Sequence, residues 1–152
     1  MKEVYGDLWT YQVPPPCTKV ICITTNGDTN KHGLAVMGRG VAKQAADFYP
    51  GLRKVYGEML KTGPLRCRVI AETGWIPLIA FPVKYHWFKK ASLELISKSI
   101  RELEDEARLH KNYVFLLPRP GCGNGGLKWE QVKPLLKDLP DNVWVITNGE
   151  EE

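Results

Sequence analysis

The stretch LPRPGCGNGGLKW at residues 117–129 joins two patterned segments of the chain. Before it, residues 113–117 form an apolar run that predicts a buried strand, and after it residues 129–139 have the spacing of an amphipathic helix. Four glycines fall within residues 121–126, although glycine loses more backbone freedom on folding than any other residue. Because the bare N–H groups at a helix N-terminus form an anion site, we predict a loop that wraps phosphate. A tight structural turn is the alternative.

Composition and charge are those of an ordinary soluble globular protein. The 152 residues carry 21 Lys and Arg against 17 Asp and Glu, which gives a formal net charge of +4. This mild excess permits binding to a polyanion without requiring it. The length predicts one domain over residues 1–152. Since the sequence has no signal-peptide pattern and no apolar run of membrane-spanning length, we expect a cytoplasmic protein that does not contact a membrane.

The cysteines and histidines lack the paired spacing of a metal site. Reduced thiols in a cytosolic protein are the expected state of the cysteines, which are Cys17, Cys22, Cys67 and Cys122. A cysteine in a glycine loop at a helix N-terminus, such as Cys122, can act as a nucleophile when its pKa is lowered. No histidine stands close to Cys122 in the sequence, so we expect no cysteine chemistry. From the spacing of the cysteines and histidines we also expect no metal ion, and we expect no cofactor.

Hydrophobic periodicity and turn residues along the rest of the chain predict alternating strands and helices. Strands are expected at residues 1–4, 19–25, 68–73, 75–83, 113–117 and 143–147, and helices at 41–48, 52–59, 93–107 and 129–139. Ser92 is the expected cap of the third helix, and Gly74 the turn between the third and fourth strands. This order predicts a three-layer α/β/α fold with a mixed, largely parallel central sheet.

A second loop rich in glycine and amide side chains, residues 26–40, follows the predicted strand at 19–25. In open α/β sheets, ligands bind outside the carboxyl ends of the strands. Both glycine loops leave such ends, so we expect them to lie on one edge of the sheet and to line a cleft suited to a diphosphate. Neither loop matches the dinucleotide-binding GxGxxG or the GxxxxGK[ST] phosphate loop.

Four stretches resemble, in the right order, the motifs of the macrodomain family and especially of its ADP-ribosyl glycohydrolase branch. They are Gly6-Asp7-Leu8, MGRGVA at residues 37–42, FPVKYHW at 81–87 with Ser92-Leu93-Glu94, and the loop at 118–129. Together they span nearly the whole chain. The resemblance implies a macrodomain over residues 1–152 that binds ADP-ribose and hydrolyses an ADP-ribosyl bond.

The resemblance also implies roles for individual residues in ligand binding. Asp7 accepts a hydrogen bond from the adenine amino group beside the Leu8 backbone, and Asn26 faces the distal ribose. The implied ligand-binding set is Asp7, Leu8, Asn26, Gly38, Arg39, Gly40, Val41, Gly121, Cys122, Gly123, Asn124, Gly125 and Gly126. Without the family, Asp7 and Asn26 are ordinary turn formers. Residues 27–36 lengthen the family's first loop, and their role is open.

Lys84 is the catalytic residue that the resemblance implies, and it stands where an apolar strand meets the predicted cleft. A free lysine has a pKa of about 10.4, which burial or nearby cations lower. His86, Lys89 and Lys90 are the expected cations. As a neutral amine, Lys84 would attack the anomeric carbon of the ADP-ribosyl adduct. As an ammonium, it would stabilise the leaving group. A lysine that caps the strand or binds phosphate is the structural alternative.

The carrier of the ADP-ribose is predicted from two features. Relatives that act on protein keep an Asp where this chain has Gly125, whereas the DNA-directed antitoxins resemble it better, with a Lys-x-His-Trp run. ADP-ribosylated DNA and an ADP-ribosyltransferase toxin are therefore the implied partners. Residues 85–90 interleave aromatic and cationic side chains, as a nucleic-acid surface does, although Trp87 and Phe88 packing under the next helix is as good an interpretation.

Four other functions remain open at this level. Within the family they are a phosphatase acting on ADP-ribose-1″-phosphate, removal of ADP-ribose from protein, and a reader that binds ADP-ribose without turnover. Outside it, a small nucleic-acid-binding protein would use the cationic patch at residues 84–90.

Overall fold

The computed structural model describes residues 1–72 and 76–149. Its strands are β1 (Lys2–Tyr5), β2 (Thr18–Thr25), β3 (Arg68–Ala71), β4 (Leu78–Pro82), β5 (Tyr113–Pro118) and β6 (Val143–Thr147). Its α-helices are α1 (Gly40–Phe48), α2 (Leu52–Thr62), α3 (Leu93–Leu109) and α4 (Trp129–Leu136). A short 3₁₀ turn (Gly123–Gly125) lies between β5 and α4. In this described part of the chain, no helix is both long and apolar enough to span a bilayer.

The strands form one sheet in the order β1-β6-β5-β2-β4-β3. Neighbours pair in parallel from β1 to β4, and β3 pairs with β4 in the antiparallel direction. The carboxyl ends of β1, β6, β5, β2 and β4 therefore meet at one edge. The predicted mixed, largely parallel sheet is confirmed, and the two glycine loops leave the neighbouring strands β2 and β5 at this edge.

Side chains of the central strands alternate between the two faces of the sheet. On β2, Val20 and Cys22 join one core, and Ile21 and Ile23 join the other. The first core includes residues of α3 and α4, and the second includes residues of α1 and α2. Because helices cover both faces, every residue of β4 is buried. The predicted three-layer α/β/α fold is confirmed.

α3 confirms the predicted third helix and its cap. The hydroxyl of Ser92 accepts a hydrogen bond from the Leu95 N–H at 3.2 Å, which satisfies one of the unpaired donors of the first turn. The buried stripe of α3 includes Ile96, Leu103 and Ala107. These side chains pack on the sheet and hold the start of α3 beside the carboxyl end of β4.

Two kinds of predicted boundary are wrong. α4 ends at Leu136 instead of residue 139: the Leu139 N–H donates to the Leu136 carbonyl at 3.1 Å in a tighter turn, and Pro140 disfavours helical backbone at residue 139. The strands on either side of residue 74 are shorter than expected, since β3 ends at Ala71 and β4 begins after Pro77, which has no N–H for a sheet. The predicted turn at Gly74 lies outside the described residues.

Candidate functional site

A cleft of about 1000 Å³ opens at the carboxyl edge of the sheet. Loops after β1, β2, β4 and β5 line it, so residues far apart in the chain meet there. Lys84 lies in its wall, and so does every residue of the predicted ligand set: Asp7, Leu8, Asn26, Gly38, Arg39, Gly40, Val41, Gly121, Cys122, Gly123, Asn124, Gly125 and Gly126. The predicted site residues therefore line one concave surface. Their contacts with a ligand stay predictions.

The lining of the cleft is strongly cationic. Asp7 is the one acidic residue among its described lining residues, whereas five are cationic: Arg39, Lys84, Lys89, Lys90 and Arg119. These cations follow three different strands, so the sheet edge assembles a charge that is dispersed in the sequence. A concave surface with one sign of charge concentrates counter-ions, and this one favours an anionic ligand such as a diphosphate.

The loop after β5 needs its glycines for two different reasons. Gly121, Gly123 and Gly126 have φ values of +77°, +68° and +78°, a left-handed conformation that side chains disfavour. Gly125 is not left-handed, but an added Cβ would lie 3.0 Å from the Cβ of Ala91. Its carbonyl also accepts a hydrogen bond from the Ala91 N–H at 2.8 Å. A side chain at residue 125 would therefore require Ala91 to shift by a few tenths of an ångström.

Gly38, in the first loop, has no such packing reason. An added Cβ there would meet no described atom within 4 Å, and the residue lies exposed in the cleft wall. Gly40, at the start of α1, has a φ of +57°, and a Cβ on it would lie 3.0 Å from the side-chain nitrogen of Asn124. The two glycine loops therefore meet at Gly40 and Asn124, and Gly38 leaves open space for a ligand.

Asp7 and Asn26 each stabilise their own loop. One carboxylate oxygen of Asp7 accepts hydrogen bonds from the Trp9 and Thr10 N–H groups at 2.9 and 3.1 Å. The Asn26 amide donates to the Val36 carbonyl at 3.0 Å and accepts from the Asp28 N–H at 2.9 Å. A carboxylate has about four acceptor sites and a primary amide has two donors, so both side chains retain capacity for a ligand.

Lys84 follows β4 and points into the cleft at the junction with the second loop. Its ammonium donates hydrogen bonds to the Asn124 carbonyl at 3.1 Å and to the Trp87 carbonyl at 3.4 Å. Partial burial and the positive charge of Arg39 lower its pKa below the ordinary lysine value. The direction of the shift was predicted, but the expected cations, His86, Lys89 and Lys90, were wrong, because the topology brings Arg39 to the amine instead.

Asp28 is a residue that sequence reasoning missed. Its carboxylate lies 2.8 Å from Nδ1 of His86 and accepts a hydrogen bond from the Trp87 N–H at 2.7 Å. The N–H of Gly27 donates to the Tyr85 carbonyl at 3.2 Å, so the first loop holds the segment after Lys84 by several bonds. Since the Trp87 carbonyl accepts a hydrogen bond from Lys84, Asp28 holds the residue whose carbonyl orients the amine. An Asp in an Asn-Gly-Asp turn carries no local signal of this contact.

Residues 29–35 of the longer first loop pack on α2. The Ala35 N–H donates to the Arg53 carbonyl at 2.9 Å, and the Arg53 side chain donates back to the Ala35 carbonyl at 2.8 Å. Gly57 of α2 lets this backbone approach closely. The elaboration whose role was open is therefore a brace between α2 and the Lys84 segment.

Two further interpretations of the sequence can be compared with the structure. Cys122 is half-buried and packs against the core that α3 and α4 share, which agrees with a packing role. Trp87 and Phe88 do not pack under α3. They are 53% and 63% exposed at the mouth of the cleft, so that interpretation is wrong.

Comparison with known proteins gives one consistent family. No family model matches the chain. A DNA ADP-ribosyl glycohydrolase of Mycobacterium tuberculosis is 32% identical over 123 residues, which are 74% of this chain and 35% of the relative. A DNA ADP-ribosyl transferase-DNA ADP-ribosyl glycohydrolase fusion protein of Thermosipho africanus is 25% identical over 126 residues, which are 68% of this chain and 32% of that protein. The chain thus spans about a third of the length of these curated relatives.

A solved structure, the macrodomain of Mycobacterium tuberculosis DarG, superposes with a TM-score of 0.75 at 29% identity and covers 95% of both chains. Together with the 32% identity to the Mycobacterium tuberculosis relative, this superposition establishes that the chain belongs to the macrodomain family and is a macrodomain of the DarG type.

Proposed function

We propose that this macrodomain binds ADP-ribose and hydrolyses the bond between ADP-ribose and a DNA base, with Lys84 as the catalytic residue. The observation that carries the proposal is the position of Lys84, whose amine meets the second glycine loop at the Asn124 carbonyl, 3.1 Å away. The relatives from Mycobacterium tuberculosis and Thermosipho africanus are both named as DNA ADP-ribosyl glycohydrolases. These names support DNA as the carrier of the ADP-ribose.

The order of the strands supports the orientation of the ligand. Asp7 follows β1, the second and first glycine loops follow β5 and β2, and Lys84 follows β4. β1 and β4 are four strand spacings apart, roughly 19 Å at about 4.8 Å each. Adenine at Asp7, the diphosphate between the glycine loops and the distal ribose near Asn26 would then present the scissile bond to Lys84.

In the proposed reaction the neutral amine of Lys84 attacks the anomeric carbon of the distal ribose. The bond to the base nitrogen breaks, and its electron pair stays with the base, which takes up a proton. Water then attacks the same carbon, so ADP-ribose leaves and the free amine is restored. If Lys84 acts as an ammonium instead, it stabilises the charge on the departing base while water attacks directly.

An oligonucleotide with thymidine-linked ADP-ribose tests the proposal. Mass spectrometry should detect free ADP-ribose and the unmodified oligonucleotide, with much slower release from ADP-ribosylated glutamate in protein. Phosphate release from ADP-ribose-1″-phosphate, without release from DNA, would instead identify a phosphatase. Tight calorimetric binding of ADP-ribose with no turnover of any of these compounds would identify a reader.

The pH profile should distinguish the two roles of Lys84. Its pKa lies below that of a free lysine, so the neutral fraction at a given pH exceeds that of a free lysine. A nucleophilic amine predicts that kcat rises with pH and levels off with a midpoint below that value. An electrostatic ammonium predicts the opposite slope, with kcat falling through the same midpoint. Steady-state assays between pH 6 and 10.5 at saturating substrate, in buffers of constant ionic strength, measure the sign.

Asp28→Ala is expected to lower kcat about 10-fold or more, because it removes both carboxylate oxygens that hold His86 and Trp87. ADP-ribose affinity should change less than twofold, since Asp28 does not line the cleft. Asp47→Ala is the matched control, since it removes an exposed carboxylate paired with Lys43 on α1. If calorimetry shows that ADP-ribose affinity and Tm fall in step with kcat, Asp28 has only a structural role.

An ADP-ribosyltransferase that modifies DNA is the proposed partner in this chemistry, and modified chromosomal DNA would place the protein in the cytoplasm. The fused transferase and glycohydrolase of Thermosipho africanus supports such a pairing. Co-expression tests it: this protein should restore growth to cells that carry the transferase, and Lys84→Ala should not.

A further inference from the structure

A segment of residues 86–90, which we call the aromatic platform, projects beside the cleft between Lys84 and α3. Trp87 and Phe88 are 53% and 63% exposed, yet both also line the cleft. Contiguous exposed rings at the rim of a polar site indicate an interaction surface. The ADP-ribose contacts proposed above do not use them. A cleft of about 1000 Å³ is at the upper end of the range for small-molecule sites, so it has room for more than one nucleotide.

The platform is held in place before any partner binds. Phe88 stacks on His86, with ring centroids 5.6 Å apart and planes at 13°, and Trp87 meets Phe88 edge to face at 5.8 Å and 83°. Asp28 binds both His86 and the Trp87 N–H, and the Lys89 N–H donates to the His86 carbonyl at 3.1 Å. Because the rings are already positioned, little side-chain entropy remains to be lost on binding.

Positive charge accompanies the rings. The Lys89 ammonium lies 5.6 Å from the centre of the Phe88 ring, and the side chain of Lys90 extends across Gly126, where an added Cβ would be 3.4 Å from its Cγ. Both lysines line the cleft, and Arg39 lies in the same wall. Flat aromatic faces next to phosphate-binding cations are the combination that proteins use to hold unpaired nucleotides.

We propose that the aromatic platform binds the unmodified nucleotides next to the ADP-ribosylated base in a single strand of DNA. Bases stack on Trp87 and Phe88, and the phosphates contact Lys89 and Lys90. The strand is single because neighbouring bases cover the faces of each base in a duplex, so they are not free to stack on protein rings. Stacking and phosphate contact read no base edges, so binding tolerates any sequence. This inference rests on the proposed function, since it identifies the form of DNA that enters the same cleft.

Fluorescence anisotropy with unmodified, labelled 12-nucleotide DNA tests the platform. Wild-type protein should bind the single strand at least 10-fold more tightly than the matching duplex, and affinity should fall steeply with salt. The double variant Trp87→Ala/Phe88→Ala should bind the single strand at least about fivefold more weakly, because stacking on each ring contributes severalfold in affinity. Lys89→Glu/Lys90→Glu should weaken binding and flatten the salt dependence.

Two controls separate this surface from general effects. Leu109→Ala removes an apolar side chain that is 75% exposed on α3, and Lys111→Glu reverses an exposed charge just before β5, at the opposite end of that strand from the cleft. Neither should change DNA binding. The affinity for free ADP-ribose should stay within twofold in the aromatic double variant, because no predicted ADP-ribose contact is changed.

Equal affinity for single strand and duplex, or unchanged binding by the aromatic double variant, would overturn the inference. Its failure is distinguishable from failure of the proposed function. Hydrolysis of modified DNA by wild type and by the aromatic double variant with equal KM would overturn the platform alone. Platform-dependent binding of unmodified single strands, with no release of ADP-ribose from modified DNA, would overturn the hydrolase and leave the surface in place.

Discussion

Lys84→Ala should lower kcat for the release of ADP-ribose from DNA by at least about 100-fold, the loss that follows removal of one key group at a reacting centre. ADP-ribose affinity should fall only modestly, because the loops that hold adenine and the phosphates are untouched. Lys84 contacts those loops through one bond, to the Asn124 carbonyl. Single-turnover assays at saturating enzyme, with calorimetry of ADP-ribose binding alongside, measure the two quantities separately.

Lys84→Arg distinguishes the two chemical roles of the residue. Arginine keeps a positive charge but is not deprotonated in proteins, so it cannot supply a neutral nitrogen nucleophile. If the amine attacks the sugar, Lys84→Arg should be as inactive as Lys84→Ala. If the ammonium only stabilises the leaving base, arginine should retain a measurable part of the activity. Turnover by Lys84→Ala at the wild-type rate would remove Lys84 from the catalytic machinery.

Gly57→Ala should destabilise the fold, although alanine at a helix interior normally adds about 1 kcal/mol of stability relative to glycine. An added Cβ at Gly57 would clash with the Gly33 carbonyl oxygen and would lie 3.0 Å from the Ala35 nitrogen, both of them backbone atoms. Overpacking costs about 1–3 kcal/mol when neighbours can move, and more when backbone must. Thermal unfolding should therefore show a Tm lower by roughly 5 °C or more.

Gly63→Ala, at the end of the same helix, is the matched control. A Cβ at Gly63 would make only ordinary contacts, 3.7 Å from Met59 O and from an Arg68 nitrogen, and its φ of −153° suits any residue. Its Tm should stay near that of wild type. A Gly57→Ala protein as stable as wild type would show that residues 29–35 move away from α2 without loss. If the clash instead displaces those residues and lowers Tm, Asp28 shifts with them and kcat should fall as well.

Much of the fold could be predicted because its signals are local. The apolar run of β5, the stripe and cap of α3 and the turn residues after β2 lie within a few residues of the structure that they specify. The placement of both glycine loops on one edge followed from the parallel direction of the strands. The predicted boundaries were wrong near Pro77 and Pro140, where the hydrophobic pattern is longer than the element. Pro77 has no N–H to donate to a neighbouring strand, and Pro140 disfavours helical backbone at residue 139.

The sequence by itself determined the α/β/α class and the position of the cleft, because strand periodicity and glycine content act along the chain. The candidate ligand residues came from the resemblance of four ordered motifs to the macrodomain family. Only the tertiary structure decided that Arg39 lies near Lys84, that Asp28 holds the peptide of Trp87, and that Trp87 and Phe88 face solvent. Asp28 and Trp87 are 59 positions apart and meet because β2 and β4 are neighbours in the sheet. Strand order is a property of the whole packed sheet, so no single segment carries it.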